Sequence, residues 1–131
     1  MRIDQLSVFV ENKAGRLVSV LKVLEDRQIS IRALSISETA EFGIIRMILD
    51  NPEAGKKALR AAGLTVRADQ ILTAEIPDVP GGLLNSVALP LAMAGINLKY
   101  FYAYIEPQTD KAMVVLKPDD LEKAEAVLRT R

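Results

Sequence analysis

Apolar and polar residues alternate along the first ten positions of the chain and then change to a helical spacing. Leu6, Val8 and Val10 fall on one side of an extended segment, residues 5–10, which is the pattern of a strand with one buried face. The apolar positions after the next turn recur at i, i+3, i+4 and i+7, namely Leu17, Val20, Leu21 and Leu24. This spacing predicts an amphipathic helix of about three turns.

Two apolar runs and a second helix complete the first half. Residues 29–37 and 42–50 are separated by a polar break, so they predict an antiparallel hairpin. Asn51 and Pro52 predict the N-cap and the first position of the helix, which Gly63 ends. A closing strand then follows over residues 64–70.

The same order of elements occurs a second time. A gap-free alignment at one constant spacing places residues 11–49 on residues 78–116. The matched pairs form a glycine turn, a helix stripe and a strand, namely Gly15 with Gly82, Leu17 with Leu84, Val20 with Val87, Leu24 with Leu91, Ile29 with Ile96, and Ile31 with Leu98. A repeat of this length indicates a small folded domain present in two copies.

The second copy predicts its own elements in the same order. Strands are expected over residues 71–76, 96–105 and 111–116, with a turn over 77–82 and a helix over 83–94. The last helix is expected to begin at Pro118, which we match to Pro52 with the spacing between the copies shortened by one position. No residues remain for a strand after this helix.

Each half is therefore predicted to be a βαββα unit, and only the first half shows a clear final strand. Strand–helix–strand crossovers are right-handed, so each unit should form a four-stranded antiparallel sheet with two helices on one face. The fold class is α+β, with two tandem ferredoxin-like βαββαβ units, the second lacking a clear final strand. We place the first domain at residues 1–70 and the second at residues 71–131. We expect the open edge of the second sheet to pair with the first half or with a second chain.

Composition narrows the function. Lys and Arg together number 17, as do Asp and Glu, so the neutral chain has no field to attract phosphate backbones and a nucleic-acid partner is not expected. The chain contains no Cys and no His, which excludes disulfides, the usual zinc sites, iron–sulfur ligation and the commonest general base. We expect no metal and no cofactor.

One segment has the length of a membrane span. Residues 79–98 form an uncharged run. We reject a membrane helix because the segment is interrupted by prolines and asparagines, namely Pro80, Asn85, Pro90 and Asn97. The N-terminus, residues 1–4, lacks the apolar run of a signal peptide. We therefore expect a cytoplasmic protein that has no membrane partner.

The turn and helix of the second copy resemble a known family. Residues 75–84, Glu-Ile-Pro-Asp-Val-Pro-Gly-Gly-Leu-Leu, are followed by Ala-Gly-Ile-Asn-Leu at 94–98, and this pattern resembles the ACT domain. Residues 11–17 and 27–31 are similar to a looser version. The resemblance covers nearly the whole chain as a tandem pair. It implies binding of a free amino acid that regulates an enzyme or transporter, with domains paired edge to edge.

The residues of the turn suggest how a ligand would bind. A Pro-Gly-Gly turn allows close approach of the backbone, and the following helix amides suit a carboxylate. Asn97 or Ser30, at the start of a strand, could bond the ligand from the side. The candidate binding residues of the second copy are Asp78, Val79, Pro80, Gly81, Gly82, Leu83, Asn97 and Leu98. Weaker candidates in the first copy are Asn12, Ala14, Gly15, Arg16, Ser30 and Ile31.

Each candidate also has a purely structural interpretation. Gly82 and Gly15 can simply permit a tight turn, Asn97 can bond its own backbone, and Asp78 can be a turn residue. The first copy has Lys13-Ala14 where the alignment places Pro80-Gly81, which puts binding there in doubt. The tyrosines at 100, 102 and 104 share one face of a strand, and we favour packing over a role in a pocket.

Catalysis is not expected, because the serines have no obvious base beside them and no phosphate loop follows the glycines. The hypothesis is a regulatory or sensor protein that binds a free amino acid through ligand-linked association of domains or subunits, as a homodimer. The alternative is an interaction subunit that docks on a metabolic enzyme and binds no small molecule. The sequence does not identify the amino acid.

Overall fold

The computed structural model describes residues 2–11, 13–38, 42–104 and 111–129. Within these residues the chain forms strands and helices in the order β1 (Arg2–Glu11), α1 (Arg16–Asp26), β2 (Ile31–Glu38), β3 (Phe42–Leu49), α2 (Pro52–Ala61), β4 (Thr65–Pro77), α3 (Leu89–Met93), β5 (Leu98–Tyr104), β6 (Lys111–Pro118) and α4 (Leu121–Arg129). A π-helical segment, Leu84–Ala88, precedes α3 and is called the π turn below. The hairpin break was predicted at residues 38–41; Glu38 is the last residue of β2, while residues 39–41 and Ile105, the last residue of the predicted strand, lie outside the described residues.

The chain divides into two compact units. The first unit is Asp4–Asp69, and the second is Met1–Ile3 together with Gln70–Arg131. In the first unit the strand order is β2-β3-β1-β4, and β3 pairs antiparallel with both β1 and β2. Apolar side chains from the sheet and from both helices form its core, namely Leu6, Val8, Val20, Leu24, Ile29, Ile45, Met47, Leu49, Leu59 and Val66.

The second unit repeats this arrangement. β6 lies between β4 and β5 and pairs antiparallel with each of them. Its core comes from these strands, the π turn, α3 and α4, namely Leu72, Ile76, Val87, Leu91, Ile96, Val114, Leu116 and Ala124. The predicted α+β fold with ferredoxin-like units is confirmed.

The two strands predicted at 64–70 and 71–76 are one continuous strand. β4 runs for 13 residues, and no Gly or Pro interrupts it before Pro77. Its first residues, 65–69, belong to the first unit and the rest belong to the second. Because Ile71 and Leu72 are fully buried, the chain has no reason to turn where the prediction placed the boundary.

The fourth strand position of the second sheet is taken by the beginning of the chain. Among the described residues no strand follows α4. β1 is instead the neighbour of β4 in the strand order, and its first residues, Arg2 and Ile3, belong to the second unit. The Arg2 Nε–H donates to Glu125 Oε1 of α4 at 3.1 Å.

The helix predicted over residues 83–94 is divided into the π turn and α3. The Leu89 N–H donates to the Leu84 carbonyl, five residues earlier, which is the spacing of a π-helix. Pro90 stands in the first turn of α3, where a missing N–H is tolerated. The described part of the chain contains no helix long and apolar enough to span a membrane.

The last helix begins later than predicted. Pro118 is the final residue of β6 and pairs with Leu98, because a proline is tolerated at the end of a strand. Asp120 caps α4, and its Oδ1 accepts a hydrogen bond from the Lys123 N–H at 3.1 Å. The match of Pro52 with Pro118 is therefore wrong.

The N-cap predicted at Asn51 is confirmed, since its Oδ1 accepts from the Ala54 N–H at 3.1 Å. Asn51 and Asp120 thus occupy the same position in their units. On β5, the half-buried rings of Tyr100 and Tyr102 stack with their centroids 6.4 Å apart. The side chain of Tyr104 lies outside the described part of the structure.

Candidate functional site

The second turn, between β4 and the π turn, is held by three backbone hydrogen bonds. The Val79 N–H donates to Pro77 O, the Gly82 N–H to Val79 O, and the Asn85 N–H to Gly81 O, each at 2.9 Å. Gly81 has a φ of +80°, in the left-handed region that favours glycine.

The first turn, between β1 and α1, has the same three bonds. The Lys13 N–H donates to Glu11 O at 2.9 Å, the Arg16 N–H to Lys13 O at 3.2 Å, and the Ser19 N–H to Gly15 O at 3.0 Å. Gly15 has a φ of +88°. Each bond has its counterpart in the second turn at the same spacing along the chain, so the two turns share one backbone design.

This geometry corrects the alignment of the two copies. Gly15 is equivalent to Gly81 and not to Gly82, and Arg16 takes the place of Gly82. Ala14 is equivalent to Pro80, so the first turn keeps the glycine with positive φ and lacks only the counterpart of Gly82.

The spacing between equivalent positions increases along the chain because the second copy contains extra residues. The Ile29 N–H donates to Leu24 O and the Ile96 N–H to Leu91 O, both at 2.9 Å, so Ile29 and Ile96 are equivalent. This pair is one residue further apart in the sequence than Gly15 and Gly81 are. One additional residue is therefore accommodated in the π turn. The spacing is wider again after the β5–β6 hairpin, as the caps Asn51 and Asp120 show.

The two glycines of the second turn have different roles. Gly81 adopts the left-handed backbone conformation that the turn requires. Gly82 is buried, and a Cβ built on it would collide with the Pro77 carbonyl oxygen. This close packing is internal to the turn, so the structural interpretation of Gly82 has direct support.

The remaining residues of the second candidate group differ in exposure. Those on the surface are Asp78, Val79, Pro80, Gly81 and Asn97, while Leu83 and Leu98 are half-buried. In the first group the exposed residues are Ala14, Gly15, Arg16 and Ser30, and Ile31 is half-buried. Asn12 lies outside the described residues.

Ser30 and Asn97 do not meet the turn of their own unit. In the first unit Glu11 pairs with Phe42 at one end of β3, and Ile31 pairs with Leu49 at the other end. Phe42 and Leu49 are therefore separated by the length of β3, which is roughly 24 Å. The second unit has the same geometry, with Pro77 beside Lys111 and Leu98 beside Pro118.

The backbone carbonyls of Ser30 and Asn97, just before β2 and β5, accept hydrogen bonds from the residues that follow β3 and β6. The Asp50 N–H donates to Ser30 O at 3.0 Å, and the Ser30 N–H donates to Asp50 Oδ1 at 3.2 Å. The Asp119 N–H donates to Asn97 O at 2.9 Å. The predicted corner of turn and strand start is thus two separate places within each unit.

A cavity of about 410 Å³ adjoins the first turn. Its charged walls are Glu11 and Arg16, and its apolar walls include Phe9, Phe42 and Leu64. We call it the first-turn cavity. β1 supplies Phe9 and Glu11, β3 supplies Phe42 opposite Glu11, and the segment after α2 supplies Leu64.

Charges at the first-turn cavity are arranged around Glu11. The Arg16 Nη2–H donates to Glu11 Oε1 at 3.5 Å, and Lys13 Nζ lies 3.0 Å from Glu11 Oε2. The hydrogen bond from Lys13, and then the charges of Lys13 and Arg16, hold the pKa of Glu11 below its ordinary value of 4.5. The cavity therefore presents a cation and a fully ionised carboxylate side by side at neutral pH.

Sequence reasoning selected Arg16 but missed the other walls of this cavity. Phe9, Phe42 and Leu64 come from three separate segments, and only the pairing of β1 with β3 and the return of β4 bring them together. The close spacing of Glu11, Lys13 and Arg16 is the one signal that the sequence contained.

Comparison with known proteins agrees with the fold. A family model described as an ACT domain pair matches residues 1–131. Protein BT0572 from Bacteroides thetaiotaomicron has a solved structure that is 35% identical, with a TM-score of 0.91 over 99% of this chain and 88% of that chain. A search of curated proteins finds no match.

Two regulatory subunits of aspartate kinase have similar folds. The ligand-free subunit from Thermus thermophilus is 18% identical, with a TM-score of 0.65 over 96% of this chain and 88% of that chain. The subunit from Thermus flavus is 15% identical, with a TM-score of 0.67 over 98% of this chain and 92% of that chain.

Proposed function

This chain belongs to the ACT domain pair family, and we propose that it is a regulatory or sensor protein that binds a free amino acid. The observation that carries the proposal is the first-turn cavity, where Arg16 and Glu11 stand beside apolar walls. A free amino acid requires an anion site, an acceptor for its ammonium group and a pocket for its side chain. This cavity offers all three.

Each group of the ligand has a partner in the first-turn cavity. The guanidinium of Arg16 has five N–H donors and can bind the α-carboxylate through two of them. The Glu11 side chain is 52% exposed, so a ligand ammonium can replace the Lys13 ammonium on Oε2. Phe9, Phe42 and Leu64 would then contact the ligand side chain, which favours an apolar amino acid.

The second turn is the weaker site in this proposal. It has the same backbone bonds, but Gly82 stands where the first turn has Arg16. A carboxylate at Asp78–Leu83 would rely on backbone amides at the start of the helix, without a side-chain cation.

Regulation would act through the association of chains. Ser30 and Asn97 lie about one sheet length from the turns of their own units. Neither residue can reach a ligand at the turn of its own unit, so in this proposal a second copy of the chain supplies it and a homodimer completes the site. An amino acid that bridges two copies would shift the population toward the associated state.

A docking role on an enzyme is the second candidate. The turn and helical surface of the second unit expose apolar side chains at Val79, Leu84, Leu89 and Met93, and 81% of Met93 is exposed. No charged residue occurs from 79 to 98. The aspartate kinase subunits with similar folds are regulatory subunits, which makes a metabolic enzyme the partner that this candidate proposes.

Thermal unfolding with each of the twenty amino acids tests the first candidate. We expect one or a few apolar amino acids to raise the midpoint in a concentration-dependent way. The Arg16→Gln variant should weaken that ligand by about ten- to a hundred-fold, because a charge-assisted pair is lost.

Arg32→Gln is the matched control, since Arg32 is exposed on β2 and outside the cavity. If no amino acid shifts the midpoint, or if Arg16→Gln binds as tightly as Arg32→Gln, amino-acid binding at this turn is refuted. If amino-acid binding is refuted in this way, co-purification of the chain with a larger enzyme would support the docking role.

A further inference from the structure

The second unit contains a larger cavity beside its last helix. Its volume is about 510 Å³, within the range of small-molecule sites. β4 contributes Leu72 and Ala74, the π turn contributes Ser86, and α4 contributes Glu125, Leu128 and Arg129. We call it the α4 cavity, and these walls all lie outside the two turns.

The first unit shows what the equivalent arginine does at the end of its own last helix. In the first unit, α2 leads into β4, and the Arg60 Nη2–H donates to the Val66 carbonyl at 2.9 Å. Val66 is buried in that core. With the caps Asn51 and Asp120 aligned, Arg129 is the counterpart of Arg60. Arg129 instead lines the α4 cavity, with its Nη2 at 3.4 Å from Glu125 Oε1.

The π turn places a hydroxyl at this cavity. The N–H of Asn85 makes the same bond as the N–H of Ser19, and the buried Val87 takes the core position of Val20. Ser86, which lies between them, is therefore the additional residue of the second copy, and it lines the cavity. Single π-helical turns are often found at functional sites.

Charge at the α4 end of the cavity is positive. Glu125 receives Arg2 Nε–H at 3.1 Å and has Arg129 Nη2 at 3.4 Å, so two guanidiniums surround one carboxylate. Only 23% of the Glu125 side chain is exposed, which leaves it covered by its two partners. Glu75 also lines the cavity and is paired with Lys111 at 3.0 Å.

We propose that the α4 cavity binds a small organic carboxylate that carries no ammonium group. The ligand carboxylate would take remaining N–H donors of Arg129, and the Ser86 hydroxyl would donate to it or to a neighbouring oxygen. Leu72, Ala74 and Leu128 would contact its apolar body. An ammonium group beside the bound carboxylate is disfavoured because Glu125, which lines this end, already has two cationic partners.

The test uses three probes with one branched carbon skeleton and different charges. These are 4-methyl-2-oxopentanoate, which is a carboxylate alone, leucine, which adds an ammonium group, and 3-methylbutan-1-amine, which has no carboxylate. Amide NMR shifts of the full chain report where each probe binds. We expect the oxo acid to perturb residues 72–75, 86 and 125–129 with saturation below about 10 mM, and the amine to leave them unchanged.

Two variants and a control test the residues. Arg129→Gln should weaken the oxo acid about tenfold, and Ser86→Met should abolish its binding by filling the cavity. Lys123→Gln, on the exposed side of the same helix, should bind as the parent does. The amide spectrum of each variant also shows whether it is folded.

Three outcomes would overturn the proposal. These are no perturbation at residues 72–75 and 86, equal perturbation by the amine, or an unchanged affinity in both Arg129→Gln and Ser86→Met. Amino-acid binding at the first turn is independent of this result, since it perturbs residues 9–16 and depends on Arg16.

Discussion

Gly81 and Gly82 are neighbours in the chain, yet substitution of each is opposed by a different force. Gly81 and its counterpart Gly15 have positive φ, which costs an L-residue about 1–2 kcal/mol. Gly82 has no such φ, but its Cα faces the Pro77 carbonyl so closely that no methyl group fits. The first cost arises from the backbone of one residue and the second from packing between two residues.

Alanine substitutions should separate these two costs. We expect Gly15→Ala to lower the free energy of unfolding by about 1–2 kcal/mol, and Gly82→Ala by about 2–3 kcal/mol because the turn must open. Gly43→Ala is the control, since its Cβ would meet Val10 Cγ2 at an ordinary 3.5 Å. Urea denaturation measures all three. A Gly82→Ala protein as stable as Gly43→Ala would contradict the collision.

The carboxylate of Glu11 gives a prediction about pH. Its pKa is lowered in the folded chain, chiefly by the hydrogen bond from Lys13. A lowered pKa means that this ion pair stabilises the fold above the ordinary value of 4.5, and that the contribution is lost as pH falls through the lower folded value. Carboxyl NMR titration should show Lys13→Gln raising the pKa of Glu11 more than Arg16→Gln does. The reverse order would contradict the assignment of the main cause.

At the scale of elements, much of the structure follows from the spacing of apolar residues. The strand before the first turn, the helix α1, the hairpin and the Asn51 cap occur where the pattern places them.

The alignment error at the second turn, a shift by one position, has a simple origin. Gly81-Gly82 and Leu83-Leu84 are both doublets, so such a shift leaves glycine on glycine and leucine on leucine.

The candidate site was harder to predict than the elements. α1 has 11 residues and carries the chain about 16 Å, so a turn at its start and a strand after its end cannot share a corner. That conclusion needed only the helix length. The walls of the first-turn cavity needed the strand register, which the pattern alone does not contain.

The π turn predicts an asymmetry in how the two units tolerate a deletion. Leu84 and Val18 are equivalent, and both are exposed. Deleting Leu84 should give the second helix the spacing of the first and keep Val87 and Leu91 in the core. Deleting Val18 should rotate the remainder of α1 by about 100° and expose Val20 and Leu24.

Circular dichroism and urea denaturation of the two deletion variants measure this difference. We expect the Leu84 deletion to fold with a loss below about 2 kcal/mol, and the Val18 deletion to unfold the first unit. Equal damage from both deletions would mean that the π turn does not hold the additional residue.

At the scale of the whole molecule, the first residues of the chain belong to the unit that its second half forms. Arg2 and Ile3 belong to the second unit, and the Arg2 side chain is paired with Glu125 on its last helix. The predicted domains, 1–70 and 71–131, remain a proposal about which pieces fold alone. The structure supplies a way to test it at the N-terminus.

Removal of residues 1–3 should loosen the second unit and leave the first unit intact. We expect faster amide hydrogen exchange at residues 72–75, because the strand beside β4 is shortened, and unchanged exchange in β3. Arg2→Ala should give a smaller effect in the same place, since it removes only the ion pair. Faster exchange in β3 alone, with β4 unaffected, would be inconsistent with this assignment.

The division of β1 between the units also has a consequence for synthesis on the ribosome. Residues 4–69 emerge in order and contain a complete four-stranded sheet, so this unit can fold while the rest of the chain is still being made. Arg2 and Ile3 emerge before them but find their partners on β4 and α4 only after those later elements have been made. Arg2 and Ile3 are thus synthesised before the first unit but take their places only after β4 and α4 have been made.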